Sequence, residues 1–175
     1  DPGSVAFGGG SAGGTDHILA GLVAKAAGAD VSKLNYVPFS GGGEALAAVM
    51  GGHVVAGISG YGEWAGQIKS GELRALAISA PERQPGIDIA TLKEQGVDVE
   101  LANWRAIVAP PGLDDAQKKT LLDAVDAAVK SDAWKKLLVE KNWTDLYLPG
   151  DDFGKLVAAE NVRTTEILKG IGLVQ

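Results

Sequence analysis

Gly8-Gly9-Gly10-Ser11-Ala12-Gly13-Gly14-Thr15-Asp16-His17 separates the short apolar run Val5-Ala6-Phe7 from a helical pattern at Ile18, Leu19, Leu22 and Val23. A glycine-rich turn that leaves a strand and opens a helix presents unpaired backbone N–H groups at the positive end of the helix dipole. Such a turn is suited to an anion. Phe39-Ser40-Gly41-Gly42-Gly43-Glu44 repeats the arrangement between the next apolar strand and the next helical run. Two strand–loop–helix units in succession predict an α/β fold with a mainly parallel sheet, and both loops fall at strand ends that neighbour one another.

Working outward, residues 4–7, 34–37, 54–59, 73–79 and 104–109 read as short buried strands, with helical patterns between them. The first helix repeats apolar residues as far as Ala26 and stops at Gly28; the second uses Ala45, Leu46, Val49 and Met50 and stops at Gly51-Gly52. A third is predicted over 61–69, and a single helical turn over 91–95. After Pro110-Pro111-Gly112 the pattern changes. Asp114 followed by Gln117 predicts a capping box, with a helix running to about Ser131. A short helix holding Trp134, Leu137 and Leu138, an extended piece over 144–148, and a last helix capped by Asp151 or Asp152 complete the reading. The expected division is therefore an α/β ligand-binding lobe over 1–103 and a helix-rich remainder over 104–175, entered through one strand. The remainder has amphipathic helices and too few strands for a sheet of its own. Its apolar stripes are expected to dock on another chain, on a second copy of this one, or on their own lobe.

The chain has 175 residues, 46% of them hydrophobic and 22% charged, with a net charge of −6. That is a globular composition with no basic cluster, and nucleic acid is not an expected partner. The first sixty residues contain no arginine and two lysines, Lys25 and Lys33. An anion bound at the glycine loops must therefore be held by backbone dipoles and hydroxyl groups. There is no cysteine, which excludes disulfides and thiolate metal sites. No apolar run reaches the length of a membrane-spanning helix. The sequence starts at Asp1-Pro2-Gly3 with no signal-peptide pattern.

Several chemistries are tested by these loops. A P-loop needs Gly-Lys-Ser/Thr, and neither Gly13-Gly14-Thr15 nor Gly42-Gly43-Glu44 has the lysine. Gly8 to Gly13 satisfies G-x-G-x-x-G, but the second strand ends in Pro38 where a dinucleotide site needs an acid. The two histidines, His17 and His53, lie in a first helical turn and an exposed turn; packing or loop support is the expected role of the first. No nucleophile elbow and no histidine–carboxylate metal spacing occurs, so neither an enzyme nor a cofactor is expected. A small di- or tricarboxylate fits better, accepting bonds from the N–H groups of Ala12 to Thr15 and Gly41 to Gly43 and from the hydroxyls of Ser11, Thr15 and Ser40. Ser59, Gly60 and Tyr61, at the end of another strand, are candidates for a third wall. Asp16 and Glu44 compete with an anion for the same dipoles and are expected to cap N–H groups that the ligand does not use. A nucleotide- or phosphoester-binding enzyme domain remains the alternative, and a domain that binds nothing alone the third.

The ordered series Gly10-Ser11-Ala12-Gly13-Gly14-Thr15-Asp16-His17, Tyr36-Val37-Pro38-Phe39-Ser40-Gly41-Gly42-Gly43-Glu44-Ala45-Leu46, Gly51-Gly52-His53-Val54, Gly71-Glu72-Leu73-Arg74-Ala75-Leu76-Ala77, Thr91-Leu92-Lys93-Glu94-Gln95-Gly96-Val97, Asn103-Trp104-Arg105 and Ala109-Pro110-Pro111-Gly112 covers the chain. It resembles the substrate-binding protein of tripartite tricarboxylate transporters, the Bug-type periplasmic solute receptors. The resemblance implies a lobe of the periplasmic-binding-protein type II, followed by a helix-rich segment belonging to the other lobe. It implies a two-lobed receptor that closes on a citrate-like carboxylate in the periplasm and delivers it to a membrane permease. It places ligand contacts at Ser11, Ala12, Gly13, Gly14, Thr15, Asp16 and His17, at Phe39, Ser40, Gly41 and Gly42, and at Ser59, Gly60 and Tyr61. The family often has Tyr-Lys-Gly where this chain has Phe39-Ser40-Gly41, so a lysine-sized group is missing from the cleft. By the same resemblance the chain corresponds to the C-terminal part of such a receptor, lacking much of the first lobe, with the helices thereby exposed available for self-association.

Overall fold

The strand Phe7–Gly9 (β1) is paired on both sides, with Tyr36–Pro38 (β2) on one and Ala56–Gly57 (β3) on the other, in a three-stranded parallel sheet of order β2-β1-β3. The structure, a computed structural model, describes residues 2–174. Phe7 is in register with Tyr36 and with Ala56, and Gly8 with Val37 and Gly57. Helices Thr15–Ala26 (α1) and Gly42–Met50 (α2) make the crossovers, and Tyr61–Ser70 (α3) follows β3. The expected α/β class with parallel strands is the one observed.

The strands are shorter than the apolar runs that announced them, and β1 begins where the first run ended. Pairing here follows the glycines, because close neighbours leave no room for side chains at these positions. A Cβ on Gly57 would lie 2.5 Å from Trp64 and 2.7 Å from Val49, and one on Gly8 3.0 Å from both Phe39 and Val54. Pro38, which lacks an N–H, sits on an edge strand, where such a residue is tolerated. Of the run 73–79, only Ile78 forms a bridge, in parallel with Thr91. The run 104–109 forms no strand, and every described strand belongs to residues 7–57.

The chain divides into two units. Residues up to Asn103, together with those from Val162 onward, form the first; Trp104–Asn161 forms the second. The first has a core of small residues: Ala20 and Ala24 of α1, Ala45 and Ala48 of α2, Ala65 of α3, with Val54, Trp64, Val99 and Ile167 filling the gaps. Ile167 comes from the long helix Gly150–Gly170 (α6), whose C-terminal end lies on α1, its Cγ2 3.2 Å from where a Cβ of Gly21 would stand. Burying one such side chain contributes about 1.5–3 kcal/mol. Where the sequence reading assigned all of 104–175 to the second part, the chain thus returns to the first unit for its last helical turns. Arg163 fastens this return by donating to the Glu100 carbonyl at 2.9 Å.

In the second unit, the capping box at Asp114 is formed in both directions, Gln117 N–H to Asp114 at 2.8 Å and Asp114 N–H to Gln117 at 3.0 Å. It opens Asp115–Val129 (α4), which is followed by Asp132–Lys141 (α5) capped by Ser131. Asp151 and Asp152 lie within the first turn of α6 and not before it, because the helix starts at Gly150. Residues 144–148 form no regular element. Neither α4 nor α5 buries a residue, while Leu121, Leu122, Val139, Trp143 and Val157 stay exposed. No described helix is long and apolar enough to cross a membrane.

Gly57→Ala forces a methyl group against Trp64 and Val49 and is expected to lower stability by about 1–3 kcal/mol, read as a reduced urea midpoint at unchanged slope.

Candidate functional site

From β1 the chain moves to β2 on one side and then to β3 on the other, so its direction reverses between β1 and β3. In open α/β sheets the crevice beyond the strand ends at such a reversal is where ligands lie. Three loops leave the sheet there, and each runs directly into the N-terminus of a helix, α1, α2 or α3.

The first loop is held from within. Both polar groups of Gly10 are taken: its N–H by the Asp16 carboxylate at 2.7 Å and its carbonyl by the Tyr36 hydroxyl at 2.7 Å. Gly9 makes this possible, since a Cβ there would come 2.5 Å from the Tyr36 oxygen and 2.8 Å from Asp16 Cβ. Gly13 adopts φ +76°, a left-handed conformation that favours glycine, and donates its N–H to His17 Nδ1 at 3.2 Å. Nδ1 is therefore the acceptor and Nε2 carries the proton of a neutral imidazole. The His17 ring is buried and stacked on Tyr36, centroids 4.1 Å apart and planes 2° from parallel. Gly14 donates to the Ser11 carbonyl at 2.9 Å.

These bonds narrow the set of donors. Of the amides selected by the sequence argument, Gly13 and Gly14 are engaged inside the loop; in the second loop the Ser40 N–H, which was not selected, donates to Glu44 at 3.0 Å. Ser11 and Ala12, the first-turn N–H groups of α1 from Thr15 to His17, and those of Gly41, Gly42 and Gly43 have no partner among the described residues. The Thr15 hydroxyl donates to Asn103 Oδ1 at 3.3 Å. Phe39 departs from the expected role: its N–H donates to the Gly9 carbonyl at 2.9 Å and its ring lies against Gly8 and the sheet. His17 likewise supports the loop with a buried side chain, the expected packing role.

The third loop meets the second at Gly42. A Cβ there would lie 2.7 Å from Ser59 Oγ and 2.6 Å from Glu63 Oε2, the Ser59 hydroxyl donating to that same carboxylate oxygen. Trp64 is buried, and its indole N–H donates to the Gly42 carbonyl at 2.9 Å. Gly60 caps α3 and Tyr61 is its first residue, half-buried. Three groups that the sequence argument did not select, Tyr36, Asn103 and Glu63, thus shape the crevice. Tyr36 announces itself only as an aromatic residue at a strand end, and Glu63 only as the first-turn acid of α3.

Each of the three helices carries one acid in its first turn, and each acid reaches back to hold the loop before it: Asp16 to Gly10, Glu44 to Ser40, Glu63 to Ser59. Burial raises the Asp16 carboxyl above its ordinary range, partly offset by the Gly10 N–H, and the negative charge of Glu63 adds to the rise. Burial and the Asp16 charge push the Tyr36 phenol up, so it stays a donor at any working pH. Burial lowers His17 below 6.5.

The signs of the two linkages are opposite. A raised carboxyl gives stability below 3.8 that is lost as pH rises through its folded-state value; a lowered histidine gives stability above 6.5 that is lost as pH falls through its folded-state value. Protonating His17 also turns Nδ1 into a donor and breaks the bond from Gly13. The urea midpoint of the native chain is expected to fall between pH 7 and pH 5 by more than that of His17→Gln, and the Gly13 amide resonance to shift over the same range.

Residues 1–173 match the family described as tripartite tricarboxylate transporter family receptor. Protein BugT of Bordetella pertussis is 30% identical over 173 residues, covering 98% of this chain and 52% of its own length. Among solved structures, a TctC solute binding protein from Polaromonas is 26% identical with a TM-score of 0.76, covering 94% of this chain and 57% of that one. A protein of R. palustris solved with adipate is 25% identical with a TM-score of 0.78, covering 96% of this chain and 56% of that one. The chain thus spans about half the length of the relatives it matches. Matched to the family over residues 1–173 and similar in fold to its solved members, the chain belongs to the tripartite tricarboxylate transporter receptor family.

Proposed function

We propose that the crevice at the β1–β3 boundary binds a small di- or tricarboxylate, citrate-like in the first instance, as part of a periplasmic solute receptor that hands its ligand to a membrane permease. One observation carries this reading: α1 and α2 open from neighbouring strands, with amides at Ser11, Ala12, Thr15, Gly41 and Gly43 that have no partner among the described residues. Ser11, Ser40 and Thr15 add hydroxyls, and Ser59, Gly60 and Tyr61 form the third side. Asp16, Gly13, Gly14, Gly42, Phe39 and His17 serve the site by holding its loops. Charge-assisted hydrogen bonds contribute about 1.5–3 kcal/mol each, so a few of them offset the entropy of capture to reach micromolar affinity, about −8 kcal/mol. The R. palustris relative solved with adipate supports a carboxylate as the ligand class.

Isothermal titration with citrate, malate and adipate, with NAD as the contrasting probe, tests the reading. Saturable carboxylate heat is the expected result; saturation by NAD alone would replace the receptor with a nucleotide-binding domain. Thr15→Pro sharpens the test. Thr15 is the first residue of α1 and follows Gly14 at φ −76°, ψ 178°, an extended conformation that a following proline accepts. The substitution removes one amide and keeps the helix. Carboxylate affinity is expected to fall about tenfold or more with unchanged far-UV circular dichroism, while Thr15→Val isolates the hydroxyl.

A further inference from the structure

The first loop has two fixed ends, and one pair of stacked rings serves both. Tyr36 holds Gly10 through its hydroxyl at 2.7 Å, and His17 holds Gly13 through Nδ1 at 3.2 Å. The two rings lie 4.1 Å apart. Between those ends, Ser11 and Ala12 are exposed, whereas His17 is 8% exposed. The bond from Gly13 needs a neutral imidazole, because a protonated ring donates at both nitrogens and turns an N–H on the N–H of Gly13. Among the described residues, the groups beside the ring do little for a positive charge there. Along α1 the neighbouring acid is Asp16, whose carboxylate already accepts from Gly10 and is opposed by the charge of Glu63 on α3. β2 supplies Tyr36, a neutral phenol already bound to Gly10. From α6, Leu168 and Leu173 reach the Gly13 end of the loop, and both are apolar. Burial is the cause that lowers the titration of His17. A buried imidazolium is relieved by admitting water, which here means lifting the loop from the ring.

We propose that His17 is a proton switch on carboxylate binding: its neutral ring keeps residues 11–14 in the binding conformation, and protonation releases Gly13 and lowers the affinity. The proposal rests on the carboxylate-receptor reading. One proton has two opposed effects on an anionic ligand. A positive ring attracts it, but a ring that has moved into water is screened. A released loop must be ordered again at each capture, and glycine loses the most freedom in that step. Linkage gives the two effects opposite signs. If the proton weakens the ligand, the ligand equally opposes the proton, and His17 titrates lower in the complex; if attraction wins, His17 titrates higher.

An NMR titration of the histidine ring resonances reads this sign on the native chain and needs no variant, with His53 in its exposed turn as the internal reference. The ligand is whichever of citrate, malate and adipate binds most tightly at pH 7, kept at saturation throughout. His17 is expected to titrate about one pH unit lower in the complex than in the free chain, corresponding to about tenfold weaker binding by the protonated form, while His53 moves far less. Calorimetry at pH 7 and pH 5.5 gives a second reading against His17→Gln, whose side chain stays neutral and whose circular dichroism is checked first. Ionisation of the ligand is common to both proteins, so the native chain is expected to lose at least about threefold more affinity on acidification than the variant. An unchanged or raised His17 titration in the complex, or an equal loss in native chain and variant, would overturn the switch and leave the receptor reading standing. Failure of all three acids to bind at pH 7 would overturn the receptor reading and the proposal with it.

Discussion

The first unit is organised around the missing side chain of Gly9. With no Cβ there, the Tyr36 hydroxyl and the Asp16 carboxylate can close over the end of the central strand and clasp the two backbone polar groups of the next residue, Gly10. That clasp joins the edge strand β2, the loop and the first turn of α1. His17, stacked on Tyr36, extends it one turn further to Gly13. A loop of small residues would ordinarily be loose, since glycine loses more backbone freedom on ordering than any other residue. Here side chains from ordered elements supply the order, and the loop can stay glycine-rich enough for another molecule to approach its backbone.

The same device recurs at the other two strand ends, and it changes the electrostatic balance. A helix N-terminus carries roughly half a positive charge, and a first-turn carboxylate cancels much of it. With Asp16, Glu44 and Glu63 in place, the loops present individual N–H groups left uncovered and not a broad positive field. Selectivity by hydrogen-bond pattern follows more readily from such a surface than indiscriminate attraction of anions.

Much of the fold was legible in the residues. Gly28 and Gly51 mark helix ends, and Asp114 with Gln117 forms the cap its spacing announces. The strands were harder to place, because hydrophobic runs mark burial whereas pairing in this sheet follows close backbone approach at Gly8, Gly9 and Gly57. Residues 104–109 have the composition of a strand without a strand to pair with. At the site, glycine patterning located the loops and could not say which amides were already used. That depends on Glu44 reaching Ser40 and His17 reaching Gly13 across four residues, contacts that exist only once the helical turn has formed.

The end of the chain has a part in this architecture. Leu168 and Leu173 lie against the position a Cβ of Gly13 would occupy, at 3.9 and 3.6 Å, so the final residues buttress the segment that opens α1. A substitution that shrinks Leu168 or Leu173 therefore withdraws packing from a glycine-rich turn near the opposite end of the sequence, and its effect is felt at the start of α1 and not only in its own helix.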